Sequence, residues 1–305
     1  MKIIFFGASR FVIPIIEMLN TSFELALVVT TERDPLDTVP QYCNQHQIPF
    51  ISVKVMDETV QKKIQEIHAD VAVLAYFGLL LPQNILEMFP HGILNIHPSL
   101  LPLYRGATPV QSALLNGDST TGVTIIKLDN QMDHGPILGQ TSEEITASDT
   151  KETLHDRLFT KGTEMLKELI PPYVNGKIAL KEQQHALATL TKRSFTKQDG
   201  YIAADNPPAP DELDRMIRAY YPWPGVWTKL TINGKEKTVK ILPCHPEVNA
   251  EGSKLQESTK DASVTPQHDK QILLQVEGKK PMSIKEFLNG YPQLRDQLSQ
   301  LLSLK

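Results

Sequence analysis

Short apolar runs alternate with amphipathic stretches through the first half of the chain: KIIFFG at residues 2 to 7, LALVVT at 25 to 30, PFISV at 49 to 53, VAVLAY at 71 to 76 and GILNIH at 92 to 97. Strands apolar at successive positions bury both faces, as parallel strands covered on both sides do. The intervening stretches, Phe11 to Leu19 and Asp57 to His68 among them, have helical length and supply the covering layers. The pattern predicts an α/β domain built on a doubly wound, mostly parallel sheet. Asp57 and Glu58 bring acceptors and negative charge to the start of their helix. TGVTIIKLD, residues 121 to 129, predicts another strand. Leu154, Leu158, Met165, Leu166 and Leu169 have the spacing of one long helix over 150 to 175 that closes the domain.

From residue 183 the periodicity lapses, and the stretch to 210 ends in the proline cluster NPPAP, as a connection between domains would. Beyond it, Asp211 is placed to cap a short helix through Tyr220. Two β-rich runs flank Asn233-Gly234, a strong signal for a two-residue hairpin. QILLQVEG predicts a strand and SIKEFLNG a short helix ended by Gly290, while the polar stretch 247 to 270 reads as an extended loop. The expected division is a first domain over 1–182, a connection over 183–210 and a smaller, mostly β domain over 211–305. At 305 residues, two cores are the natural solution.

Composition excludes several classes. The apolar run 71–82 is well short of the roughly 20 residues that cross a bilayer, and the amino terminus, interrupted by Arg10 and Glu17, lacks a leader's cleavage site, so no membrane association is expected. Cys43 and Cys244 form neither a disulfide framework nor a metal motif, which fits a reducing cytoplasm. The net charge of −4 is unevenly spread: residues 1–150 carry 8 basic and 16 acidic side chains, the remainder 23 and 19. An anionic partner would therefore be met mainly by the second half, although +4 over 155 residues is also an ordinary solvated surface.

The opening strand and turn, FGASRF, carry Gly7 alone and lack the further glycines a dinucleotide needs; a GxxxxGK[ST] loop is also absent. The informative region is GILNIHPSLLPLYRGATP, residues 92 to 109. Alternation puts Asn95 and His97 on one face at the carboxyl end of a parallel strand, where open α/β sheets hold ligands. An amide donor beside an imidazole suits acyl chemistry: Asn95 can donate to a developing oxyanion, and His97 can do the same or move a proton. Read singly, His97 is more often a hydrogen-bonded core histidine and Asn95 a turn former. The loop DNQMDHGP, 129 to 136, adds Asp133 to orient His97 or relay a proton, with Asp129 as competitor. No serine or cysteine stands in a nucleophile elbow and no histidines have zinc spacing, so neither a metal nor a covalent enzyme intermediate is expected.

NIHPSLLPLYRGATPVQ followed by LDNQMDHGPIL resembles the folate-dependent formyltransferase family, and the double motif is highly specific. KIIFFGASRFVIPIIEML, AYFGLLLP and GDSTTGVTIIKLD extend the resemblance through the first half, and IRAYYPWPGVWTKL and EGKKPMSIKEFLNGYP through the second, where it implies an OB-like β-barrel. Carried over position by position, the family's catalytic triad falls on Asn95, His97 and Asp133. Its tetrahydrofolate-binding segment falls on Ser99, Leu100, Leu101 and Pro102, and its pterin-pocket run on Tyr76, Phe77, Gly78, Leu79 and Leu80. Arg105 and Gly106 continue the matching loop. The resemblance implies 10-formyltetrahydrofolate as formyl donor and, in the branch matched along the whole chain, initiator methionyl-tRNA as acceptor, with Arg33 and Arg105 as substrate contacts and the chain a monomer.

That branch usually carries a basic, glycine-containing loop after its second strand. Here the segment reads TTERDPLDTVPQYCNQH, and Arg33 stands alone among Glu32, Asp34 and Asp37. Phosphate neutralisation drives tRNA affinity, so the tRNA would be held by the second half, where Lys229, Lys235, Lys237, Lys240, Lys279, Lys280 and Lys285 cluster, or the acceptor would be smaller. A sugar-nucleotide N-formyltransferase, a 10-formyltetrahydrofolate hydrolase and a non-enzymatic RNA-binding module remain the alternatives.

Overall fold

The computed structural model describes residues 1–32, 37–244 and 272–302. The chain divides into two compact units. The first comprises Met1–Ala113, Asp118–Ala147 and Thr153–Ser194, and the second Leu114–Gly117, Ser148–Glu152 and the chain from Phe195 onward. The stretch expected as a connection is thus shared between the units, with its first twelve residues in the first.

The first unit is a seven-stranded sheet of β1 (Lys2–Gly7), β2 (Glu24–Thr31), β3 (Phe50–Val53), β4 (Val71–Ala75), β5 (Ile93–His97), β6 (Thr120–Lys127) and β7 (Ile137–Glu144), in the order β3-β2-β1-β4-β5-β6-β7. The first five strands run parallel; β6 and β7 are antiparallel additions. Alternation sorts side chains between two cores. Ile3, Phe5, Val73, Leu94 and Ile96 pack with residues of α1 (Ile13–Ser22), α2 (Val39–Gln45) and α6 (Lys151–Val174) on one face. Ile4, Phe6, Val29 and Ile93 pack with Ile64 of α3 (Glu58–Glu66) and Ile85 of α4 (Gln83–Leu86) on the other. Phe5 and Phe6 are fully buried, one in each core; burial of that kind stabilises by about 1.5–3 kcal/mol per side chain.

The expected long helix is α6, and Asp57 accepts from the Val60 amide at the start of α3. Strand β7 is the element that apolar runs do not reveal. Its burial alternates, leaving Gln140, Ser142 and Glu144 exposed, as on an edge strand with one wet face. The remaining helix of this half, α5 (Pro109–Asn116), lies between β5 and β6 in the chain. Cys43 is buried, and burial followed by the Asp37 charge pushes its thiol up to about 11, so it stays protonated; Cys244 is exposed, and both are free.

In the second unit, β8 (Val226–Ile232), β9 (Lys235–Pro243), β10 (Ile272–Val276) and β11 (Met282–Ser283) form a four-stranded antiparallel sheet ordered β11-β10-β9-β8. Asn233 and Gly234 have φ of 51° and 73°, the left-handed pair that a type I′ hairpin requires. Helix α7 (Pro210–Tyr220) differs in detail from expectation: Ala209 stands at its cap, Pro210 opens it, and Asp211 lies inside the first turn. Proline's fixed φ suits that first position, and the carboxylate then acts on the helix dipole instead of capping. At α8 (Ile284–Gly290), Ser283 and Glu286 form a reciprocal capping box, whose hydrogen bonds from the Ser283 backbone and hydroxyl hold the Glu286 carboxyl below its usual range. α9 (Arg295–Leu302) buries Leu298, Leu301 and Leu302. The polar stretch 247–270 lies outside the described residues.

Candidate active site

Strand β5 brings the motif residues to the carboxyl end of the parallel sheet. Asn95 pairs in register with Leu74 of β4 and Ile126 of β6, and His97 with Thr124 of β6. Leu94 and Ile96 enter the α6-side core, so Asn95 and His97 face the opposite way. Both are nearly covered, 6% and 5% exposed, which makes their hydrogen bonds consequential.

His97 Nε2 lies 3.0 Å from the carbonyl oxygen of Tyr104. A carbonyl only accepts, so Nε2 carries the hydrogen and Nδ1 is the free basic atom of the neutral ring. Nδ1 faces Asp133 Oδ1 at 3.6 Å, and Asn95 Nδ2 donates to the same oxygen at 3.3 Å. Asp133 Oδ2 accepts from the Gly106 amide at 2.8 Å. The three side chains form one cluster around a carboxylate that is 13% exposed. Between Asp133 and Asp129, the tertiary structure selects the former. Asp129 instead accepts from the Gln131 amide at 2.8 Å and pairs with His134 Nδ1 at 2.7 Å.

The Asp133 loop has an unusual backbone. Asp133 sits at φ 49°, a left-handed conformation that a non-glycine residue adopts only when its surroundings impose it. Two residues on, a Cβ on Gly135 would lie 1.9 Å from the Lys127 carbonyl oxygen, so only glycine fits. Gly135→Ala would push this backbone apart and is expected to lower stability by about 1–3 kcal/mol, with loss of activity, read as a fall in Tm. An unchanged Tm would show that the loop has slack.

The SLLP segment proves to be an internally braced turn. Ser99 Oγ donates to the Leu103 carbonyl at 2.6 Å, and Thr124 Oγ1 donates to the Ser99 carbonyl at 2.6 Å while accepting from the Leu101 amide. Gln140 Nε2 donates to the Leu101 carbonyl and to Thr124 Oγ1. The Leu101-Pro102 peptide is cis. Ser99 and Leu101 are buried; Leu100, which meets Gly122, and Pro102 are half-buried. These residues set the loop that presents Tyr104 to His97.

Arg105, expected as a substrate contact, points inward. It is 7% exposed, and its Nη2 donates to Gln183 Oε1 at 2.7 Å and to His185 Nδ1 at 2.8 Å. Arg33, the other expected contact, lies outside the described residues. Of the run 76–79, Phe77 is buried against Phe6 with ring centroids 5.5 Å apart. Leu79 is half-buried against the same core, whereas Tyr76 and Gly78 are exposed, both at positive φ. Tyr76 meets His155 and Phe159 edge to face and Phe11 at a tilt. A cleft of about 520 Å³ opens between Gln83, Leu86 and Glu87 on one side and Leu128, Asp129 and Asn130 on the other. Its second wall belongs to the loop that carries Asp133.

Sequence reading missed Tyr104, Thr124, Gln140 and Gln183. The first acts through its carbonyl, which no side-chain pattern signals; Thr124 and Gln140 lie in strands as ordinary polar residues; Gln183 lies in a stretch without periodicity. Among the described residues, no group of three or more His, Cys, Asp and Glu could hold a metal, and no helix is long and apolar enough to cross a membrane.

Residues 1–170 match the family described as formyl transferase, and residues 195–292 that family's C-terminal domain. Fold and matched motif thus make the chain a formyl transferase. A methionyl-tRNA formyltransferase of Thermodesulfovibrio yellowstonii is 33% identical over 301 residues, 94% of this chain and 95% of that one. One of Chloroflexus aggregans is 38% identical over 238 residues, 75% of this chain and 76% of its own. The chain belongs to the methionyl-tRNA formyltransferase family. Among solved structures, a sugar N-formyltransferase from a Shewanella species superposes with a TM-score of 0.61 at 19% identity, covering 77% of this chain and 95% of that one. An N-formyltransferase from Helicobacter canadensis, in complex with folinic acid and dTDP-3-aminofucose, gives 0.57 at 20% identity, with 80% and 88% covered. At such identities the likeness is one of fold.

Proposed function

We propose that this chain transfers the formyl group of 10-formyltetrahydrofolate to the α-amine of methionyl initiator tRNA, using Asn95, His97 and Asp133. The observation that carries this is the convergence of the three side chains at the carboxyl end of β5, in a chain akin to curated methionyl-tRNA formyltransferases over nearly its full length. The attacking amine forms a bond to the formyl carbon and generates a tetrahedral oxyanion. Asn95 gives one amide hydrogen to Asp133 and has a second for the oxyanion, while His97, on taking the amine's proton at Nδ1, adds its positive charge beside it. Asp133, opposite Nδ1, holds the imidazolium. As the bond from carbon to N10 breaks, the proton lost by the amine passes by way of His97 and Asp133 to N10, directly or through water. The products are the formylated amine and tetrahydrofolate.

The donor is assigned to the cleft walled by Leu128, Asp129 and Asn130, because that wall continues within a few residues into Asp133. A fold neighbour in complex with folinic acid supports a folate as donor. For the acceptor, Lys229 contributes less than its charge suggests, since it pairs with Glu236 at 2.6 Å. Two free cysteines fit a reducing cytoplasm.

The test supplies 10-formyltetrahydrofolate together with charged initiator methionyl-tRNA or with a 4-amino sugar nucleotide, and follows both formylated products and free formate. Formyl-methionyl-tRNA is the expected product. Transfer to the sugar alone, or formate release without an acceptor, would overturn the assignment.

A further inference from the structure

Gln183 emerges from a stretch where the sequence shows no pattern, yet it is 5% exposed and makes three hydrogen bonds at the back of the site. Its Nε2 donates to the carbonyl oxygens of Asp133 at 2.9 Å and Gly135 at 2.7 Å. Its Oε1 accepts from Arg105 Nη2 at 2.7 Å. The partners dictate the orientation of the amide, because two carbonyls can only accept and a guanidinium can only donate. Gln183 therefore ties the backbone on either side of His134 to the loop that follows Pro102.

That second loop is itself fastened to the chain just after Gln183. Arg105 forms a short parallel bridge with Leu190: the Arg105 amide donates to the Thr189 carbonyl and the Thr191 amide to the Arg105 carbonyl, each at 2.8 Å. Thr189 Oγ1 accepts from the Tyr104 amide, and Thr108 Oγ1 donates to the Lys192 carbonyl at 2.7 Å. His185, which accepts from Arg105, stacks on His134 with centroids 3.9 Å apart and planes 3° from parallel. The strap 183–192 thus holds both loops: the one after Pro102 supplies the Tyr104 carbonyl to His97 and the Gly106 amide to Asp133, and the other carries Asp133 itself.

We propose that Gln183 is a positioning residue for formyl transfer, acting by holding Asp133 in its left-handed conformation so that its carboxylate meets His97 Nδ1, Asn95 and the Gly106 amide. The role as a positioning residue rests on the reading of those three side chains as the reacting groups. The geometry explains why an amide is required. A glutamate would keep the bond to Arg105 but turn a lone pair on the two carbonyls, and a methionine would fill the volume while leaving all three partners unmet.

Gln183→Glu and Gln183→Met are the variants to compare with wild type in steady-state formyl transfer across pH and in hydrogen exchange of ¹⁵N-glycine-labelled protein. Misplacement of a reacting group by an ångström costs on the order of a hundredfold. In both variants kcat is expected to fall roughly ten- to a hundredfold, with KM for donor and acceptor changed less than about threefold on that ground. For Gln183→Glu, activity relative to wild type should rise as pH falls, because a protonated carboxyl regains one donor for the carbonyls; Gln183→Met should show no such recovery. The Gly106 amide should exchange faster in both, while Gly122 and Gly139 of the sheet stay as protected as in wild type. Unchanged Gly106 exchange in a folded variant, or a kcat within twofold of wild type for Gln183→Met, would overturn the proposal. Should wild type fail to formylate methionyl-tRNA, the reaction assignment falls, and the Gly106 exchange still decides whether Gln183 holds Asp133.

Discussion

Asn95→Ala and His97→Ala are each expected to reduce the turnover of formyl transfer by roughly a hundred- to a thousandfold, the range seen when one donor to an oxyanion is removed. The size follows from burial. Both side chains sit in a nearly water-excluded site, where a fixed donor is worth far more than in solution and needs no reorganisation as charge develops. Neither substitution should unfold the protein, because Leu94 and Ile96 of the same strand, which anchor the core, are untouched. Single-turnover formylation, with Tm as the check on folding, reads the effect. Wild-type turnover in both variants would remove Asn95 and His97 from the chemistry.

An effect at the upper end of that range, about a thousandfold, is expected of Asp133→Asn. The amide oxygen can still accept from Gly106, but its NH₂ then points at Asn95 Nδ2, donor against donor, and the negative charge opposite His97 Nδ1 is gone. The imidazolium loses the partner that holds it as the amine gives up its proton. Because His97 and Asp133 act as one unit, the double variant His97→Ala with Asp133→Asn should be only slightly slower than the poorer single variant. Losses that multiply would show instead that the two residues contribute independently, and the proposed holding of His97 by Asp133 would fail.

Much of this is written locally. The five parallel strands announce themselves as runs apolar on both faces, α6 by its leucine spacing and the hairpin by Asn233-Gly234, whose left-handed angles follow from the two residue types. Asn95 and His97 share a face because strand side chains alternate, and that follows from β5 being a strand at all. The edge strand β7 escaped because one wet face dilutes an apolar run, and the start of α7 shifted because proline at its first turn outcompetes an aspartate cap.

The amino-acid sequence by itself determined the five parallel strands and the strand end at which an amide and an imidazole emerge, since these depend on periodicity within a single segment. Only the tertiary structure decided the rest: that Asp133 and not Asp129 reaches His97, that Arg105 turns inward, and that Gln183 joins two loops. Each of these rests on hydrogen bonds between segments 27 to 80 residues apart. Such bonds leave no period in either segment, and several run through backbone carbonyls that every residue possesses. Local pattern can name the residues that reach the site, but three-dimensional packing settles which of them face one another there.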